Sequence, residues 1–188
     1  MRKVFLDMGG NMGQGLRKFI EKYSIDENWI VETFEPELSC KLESHISDLT
    51  YVKINNQAIW THTGKVTFSR YESNLEGSSV ECLMSEGYCG DPTSEGYRKH
   101  DNLLQVDCVD ISELINKYND DDFIVVKMDI EGSEYNVLRK AIQDGTIKKV
   151  NDIWVEWHHN HVKDESDSTT YNLKEEIRSL GVNINDWH

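Results

Sequence analysis

The 188-residue sequence predicts a single domain with a doubly wound α/β fold, and three observations carry that expectation. Short apolar runs alternate with amphipathic segments, in the order strand, helix, strand, helix. The first run, Val4-Phe5-Leu6, ends in Asp7 and a glycine turn, which is how a strand meets a ligand at its carboxyl end. Four runs end in an acid (Asp7, Glu35, Asp129 and Glu156), and in an open parallel sheet the ligand sits at those ends.

Each element follows from local pattern. After the glycines of residues 9–15, Leu16, Phe19, Ile20 and Tyr23 share one helical face. A second strand, Trp29 to Glu35, stops at Pro36, which can open a helix at its first turn. That helix is expected over 37–48, with Leu38, Leu42, His45 or Ile46, and Leu49 facing inward. Tyr51 to Asn55 reads as a third strand, followed by Gln57-Ala58-Ile59-Trp60. The alternating piece from Gly64 to Ser69 suggests an antiparallel excursion. Residues 70–102 are rich in Ser, Glu and Gly; a segment of that length in a compact domain predicts an insertion or lid covering a site, or a surface loop without a role.

Regular pattern resumes at Leu103 to Asp107, and Ile111, Leu114, Ile115 and Tyr118 mark a short helix. Phe123 to Asp129 reads as a central strand buried on both faces. Its helix carries Val137, Leu138, Ala141 and Ile142 and closes at Gly145. Asp152 to Trp157 is a fifth parallel strand, ending in His158-His159-Asn160-His161. A last helix (Leu173, Ile177, Leu180) and a strand near 182–185 complete the series.

Composition bounds the partners. A formal net charge of −14 makes nucleic acid or an anionic membrane surface an unfavourable partner. No apolar run approaches ~18 residues, so no membrane span is expected. Met1-Arg2-Lys3 leads straight into a strand, which leaves no room for a signal peptide. The four cysteines form no Cys-x-x-Cys pair. Cys40 and Cys108 read as core residues, while Cys82 and Cys89 are too loosely placed for zinc. A reducing, cytoplasmic location is expected.

The glycine spacing discriminates between ligands. Gly-x-Gly-x-x-Gly fails from Gly9, because Asn11 stands at the second position, and no Gly-Lys is followed by Ser or Thr. What remains is Asp7-x-Gly9-x-x-x-Gly13. An acid two residues before the glycine would repel a phosphate and suits an ammonium or sulfonium charge. Glu35 is placed to accept ribose hydroxyls. Ser133 can cap the helix that follows the fourth strand, and Glu131 and Glu134 complement its dipole, so capping is one reading of those acids. Asp129 follows an apolar run and reads as functional. His158 or His159 offers a base with a near-neutral pKa. Asp129, Glu156 and His158 are also a candidate divalent-metal set, and the metal question stays open.

Taken together the motifs resemble the FkbM family of S-adenosylmethionine-dependent methyltransferases. Asp7-Met8-Gly9-Gly10-Asn11-Met12-Gly13 matches its glycine turn, with Gly10 where the pattern carries alanine. Phe34-Glu35-Pro36, Lys127-Met128-Asp129-Ile130-Glu131-Gly132-Ser133-Glu134 and Val155-Glu156 follow in family order. The resemblance implies a Rossmann-like class I methyltransferase sheet, mostly parallel, with its last edge expected to be incomplete. It implies S-adenosylmethionine held by Asp7, Gly9, Asn11, Gly13 and Asp129, with Glu35 and Pro36 at the ribose and Gln57 and Ala58 edging the adenine. Asp129, Glu131 and His158 are then the candidate catalytic residues. The acceptor implied is a sugar or a small hydroxylated metabolite. A non-catalytic adenosine-binding module working through a protein partner is the alternative.

Overall fold

The computed structural model describes residues 1–70, 88–89, 98–99, 102–162 and 164–188. The expected cover at 70–102, with Cys82 and the Cys89 side chain, lies outside these residues. The exception is a two-strand ladder of β6 (Tyr88–Cys89) and β7 (Arg98–Lys99).

The frame is a six-stranded sheet in the order β11-β10-β9-β1-β2-β3, parallel throughout. Its strands are β1 (Lys3–Met8), β2 (Trp29–Phe34), β3 (Val52–Asn55), β9 (Phe123–Met128), β10 (Asp152–Val155) and β11 (Asn183–Asp186). The chain starts at the centre, winds outward to β3, then crosses to β9 and winds the other way. The winding reverses between β1 and β9, and that is where a doubly wound sheet opens a crevice. The parallel α/β sheet expected from the alternating pattern is therefore present.

A second sheet holds β4 (Ala58–Trp60), β5 (Gly64–Arg70) and β8 (Asn102–Asp110). Here β5 runs antiparallel to β8, as its alternation predicts, while β4 is parallel to it. The expected helix over 37–48 is instead a 3-10 turn, Leu38–Cys40, and one helical turn, α2 (Leu42–His45). Lys41 lies between them at φ 52°, a left-handed conformation that ends one turn and begins the next.

Strand β1 shows why the core forms. Val4, Phe5, Leu6 and Met8 have no exposed surface, and side chains alternate faces along the strand. Val4, Leu6 and Met8 pack with Leu114 and Ile115 of α3 (Ile111–Ile115), Val137 and Leu138 of α4 (Glu134–Gln143), and Ile177 of α5 (Asp167–Ser179). Phe5 faces the other way, onto Leu16 and Phe19 of α1 (Gln14–Tyr23). Helix α1 thus packs onto this face at the sheet centre, and the site depends on that placement. Cys40 and Cys108 are buried free thiols, as expected. Among the described residues no helix is long and apolar enough to cross a membrane.

Candidate active site

The alternation that buries Phe5 toward α1 puts Asp7, two residues on, toward α1 as well. The parallel register sets Asp7 beside Thr33 of β2 and Lys127 of β9. A polar row therefore crosses the sheet under the N-terminus of α1, and Asp7, Thr33 and Lys127 are all buried. Thr33 donates its hydroxyl to Asp7 Oδ2 at 2.8 Å. Lys127 Nζ donates to the Gly9 carbonyl at 2.6 Å and lies 3.3 Å from Asp7 Oδ1 and 3.4 Å from Asp129 Oδ2. Burial alone would push the Lys127 ammonium down and the Asp7 carboxyl up. The charges and hydrogen bonds of Asp7 and Asp129 reverse the first effect, and Lys127 is held above its ordinary range. Gly15 leaves the room: a Cβ there would come within 2.9 Å of Lys127 Cε.

The glycine loop rests on this row. Gly9 and Gly10 both donate their amides to the Phe34 carbonyl at 3.0 Å, tying the loop to β2. Gly9 and Gly13 each sit at φ 87°, where side chains are disfavoured. At Gly10 a Cβ would lie 2.5 Å from Thr33 Oγ1, so the hydroxyl that serves Asp7 takes the room an alanine would need.

Glu35, past the tip of β2, is buried and ties the loop from the side. Its Oε2 accepts the Asn11 amide and its Oε1 the Glu37 amide, each at 2.8 Å. Burial pushes its carboxyl up to about 7, against the pull of those two amides.

At the tip of β9 the chain turns through Glu131 at φ 55° and Gly132 at φ 103°. Ser133 makes no cap hydrogen bond, and its hydroxyl is buried without a partner, which corrects the capping role expected of it. Glu134 instead holds the turn that precedes the helix. Fully buried, it accepts the amides of Ile130 and Gly132, both at 2.8 Å, and holds His158 Nδ1 at 3.1 Å. The other ring nitrogen, Nε2, is 3.6 Å from Glu131 Oε2 and 3.9 Å from Glu156 Oε1. Burial would lower the His158 pKa, but Glu134, Glu131 and Asp129 outweigh it and raise it to about 9. The near-neutral base expected from sequence is thus not what this environment makes of it.

These parts enclose a cleft of about 270 Å³. It is lined by Gly9, Gly10, Asn11, Gln14 and Gly15 of the loop and α1, by the carboxylates Asp129, Glu131 and Glu156, by buried Lys127, and by Lys18, Trp187 and His188. Of the residues expected at a site, Gly9, Asn11, Asp129, Glu131 and Glu156 line the cleft. His158 stands behind the carboxylates. Asp7 and Glu35 are buried beneath or beside the loop, and Gly13, Pro36, Gln57 and Ala58 do not reach the cleft wall. Sequence reading missed Lys127 as a structural cation, although a lysine inside an apolar run on a doubly buried strand demands carboxylate partners. It also missed Trp187, for which no local signal exists.

A family model, the methyltransferase FkbM domain, matches residues 7–182. No curated protein and no solved structure matches the chain.

Proposed function

We propose that this chain, which belongs to the FkbM methyltransferase family, uses S-adenosylmethionine to methylate a hydroxyl group on a sugar or small hydroxylated metabolite. One observation carries the reading: the cleft is lined by a glycine-rich loop together with three carboxylates, Asp129, Glu131 and Glu156. A Cβ at Gly9 would stand 1.8 Å from the Asp129 carbonyl, so this cradle exists only without side chains. Three carboxylates around one cleft fit a cationic amino-acid group and a sulfonium.

Bound, S-adenosylmethionine supplies a methyl group on a positively charged sulfur. The loop from Gly9 to Gly13, Asn11 included, orients that end of the molecule, and Asp129 faces its ammonium. Asp7 acts at one remove, by fixing Lys127 under the Gly9 carbonyl. Glu35 takes the ribose hydroxyls on the lone pairs its two amides leave, where the nucleoside extends beyond the cleft, with Pro36 beside it and Gln57 and Ala58 at the adenine edge. Catalysis is then positioning in line, plus removal of the acceptor proton. Asp129 and Glu131 are at hand for the proton. Glu156 joins them, its carboxyl raised by burial and by Asp129 and Glu131 against the pull of His158. His158, gripped by Glu134, stands behind these carboxylates and helps to place them.

Titration calorimetry with S-adenosylmethionine and with its demethylated product tests the reading, and both are expected to bind. A folded sample that gives no heat with either overturns it. The role of Glu35 has its own signature. Its carboxyl titrates near 7 in the free protein, and ribose hydroxyls donate to the charged form. Binding must therefore release a proton below that pH, so affinity falls as pH drops. About fivefold weaker binding at pH 6 than at pH 7 is expected from the charged fraction alone. Equal affinity at the two pH values would reduce Glu35 to a loop clamp.

A further inference from the structure

We propose that Asp129, Glu156 and His158, with Glu131 beside them, form a binding site for a divalent first-row transition ion such as Mn²⁺, at the tips of β9 and β10. The ligand atoms of Asp129, Glu156 and His158 already lie within 4.8 Å of one another, the one such group of three among the described residues. His158 Nε2 is 3.6 Å from Glu131 Oε2 and 3.9 Å from Glu156 Oε1. Donors about 2.1 Å from one octahedral ion stand roughly 3.0 Å apart at right angles and roughly 4.2 Å apart across it. Small side-chain rotations therefore bring this set onto a common centre.

The observation that separates this cluster from a surface patch of acids is Glu134. It has no exposed surface, comes from the helix below, and grips Nδ1 at 3.1 Å. A buried carboxylate on one imidazole nitrogen, with the other nitrogen turned toward carboxylates, is the outer-shell arrangement that orients metal-ligating histidines. Glu134 is itself pinned by the amides of Ile130 and Gly132, so the ring is aimed by the backbone of the loop that also carries Glu131. One imidazole among oxygen donors favours manganese, iron or zinc over magnesium or calcium. The open side of the set is the cleft, where Asp129, Glu131 and Glu156 are wall residues.

An ion there would have a use. Under the methyltransferase reading, on which only this use rests, it would draw the acceptor hydroxyl to the cleft and lower its pKa. Loss of the hydroxyl proton would then need no strong base.

The test is Mn²⁺ binding to the whole chain, followed by electron paramagnetic resonance without cofactor or acceptor. It is thus independent of whether S-adenosylmethionine binds. Saturable 1:1 binding is expected, with affinity reduced at least tenfold in Glu156→Gln and in His158→Gln, and little competition from equimolar Mg²⁺. Thermal unfolding of each variant shows that it is folded; if His158→Gln is not, Glu156→Gln with Asp129→Asn carries the comparison. No binding at millimolar Mn²⁺, or binding unchanged in folded variants, overturns the site and leaves His158 as the internal counter-ion of these carboxylates.

Discussion

Replacing Lys127 with methionine is expected to destabilise the protein by about 3–5 kcal/mol, the cost of stripping one partner from a buried ion pair. The methionine chain fills most of the space along Gly15, so packing loss is small and the charge dominates. Asp7, with no exposed surface, is left with the Thr33 hydroxyl alone. A carboxylate so placed takes up a proton more readily, so the penalty should shrink as pH falls and Asp7 becomes neutral. Adding Asp7→Asn in the same chain should recover part of the loss, since an amide keeps an acceptor for Thr33 without a charge. Urea unfolding of wild type, the single variant and the double variant at pH 5 and pH 8 reads all three expectations. A Lys127→Met cost below about 1 kcal/mol at pH 8 would mean that the ammonium is not what neutralises Asp7.

Gly9→Ala should abolish the proposed binding of S-adenosylmethionine and cost about 2–5 kcal/mol, and a control divides the two causes of that cost. The left-handed conformation accounts for about 1–2 kcal/mol with any side chain, and overpacking for about 1–3 more. The clash is with the Asp129 carbonyl at 1.8 Å, a backbone atom that cannot rotate away. Relief requires β1 and β9 to separate at their tips, which pulls the Gly9 carbonyl off Lys127. Gly181 is also left-handed, at φ 86°, but a Cβ there meets nothing within 4 Å. Gly181→Ala should therefore show the conformational strain alone. The difference between the two variants in unfolding free energy is the clash, and equal values would show that the loop yields without disturbing β9.

Much of the frame was legible because burial on both faces leaves a plain mark. Val4 to Leu6 and Ile124 to Val126 are unbroken apolar runs, and the glycines after β1 announce a backbone approach. The segment 37–48 departs from the helix its apolar spacing suggests, because the left-handed Lys41 that breaks it is a backbone choice with no residue signature. Asp7 shows a deeper limit. Its place at a strand tip was correct, and its sign was compatible with a cationic ligand. Its actual partner lies 120 residues away, and only the β1–β9 register reveals it. His158 fails the same way: its ordinary pKa is a property of the ring, and its raised one belongs to Glu134, on another element. Charge patterns along a chain name the actors, but cross-strand neighbours decide which charges meet.

The two anchors of the glycine loop have a consequence for motion. Its amides hang from Phe34 on one side and its carbonyl from Lys127 on the other. Loosening the loop therefore means parting three central strands, an event close in free energy to global unfolding. The Gly9 and Gly10 amides should be among the slowest in the chain to exchange with solvent. The glycine side of the cleft is thus a fixed surface rather than a moving one.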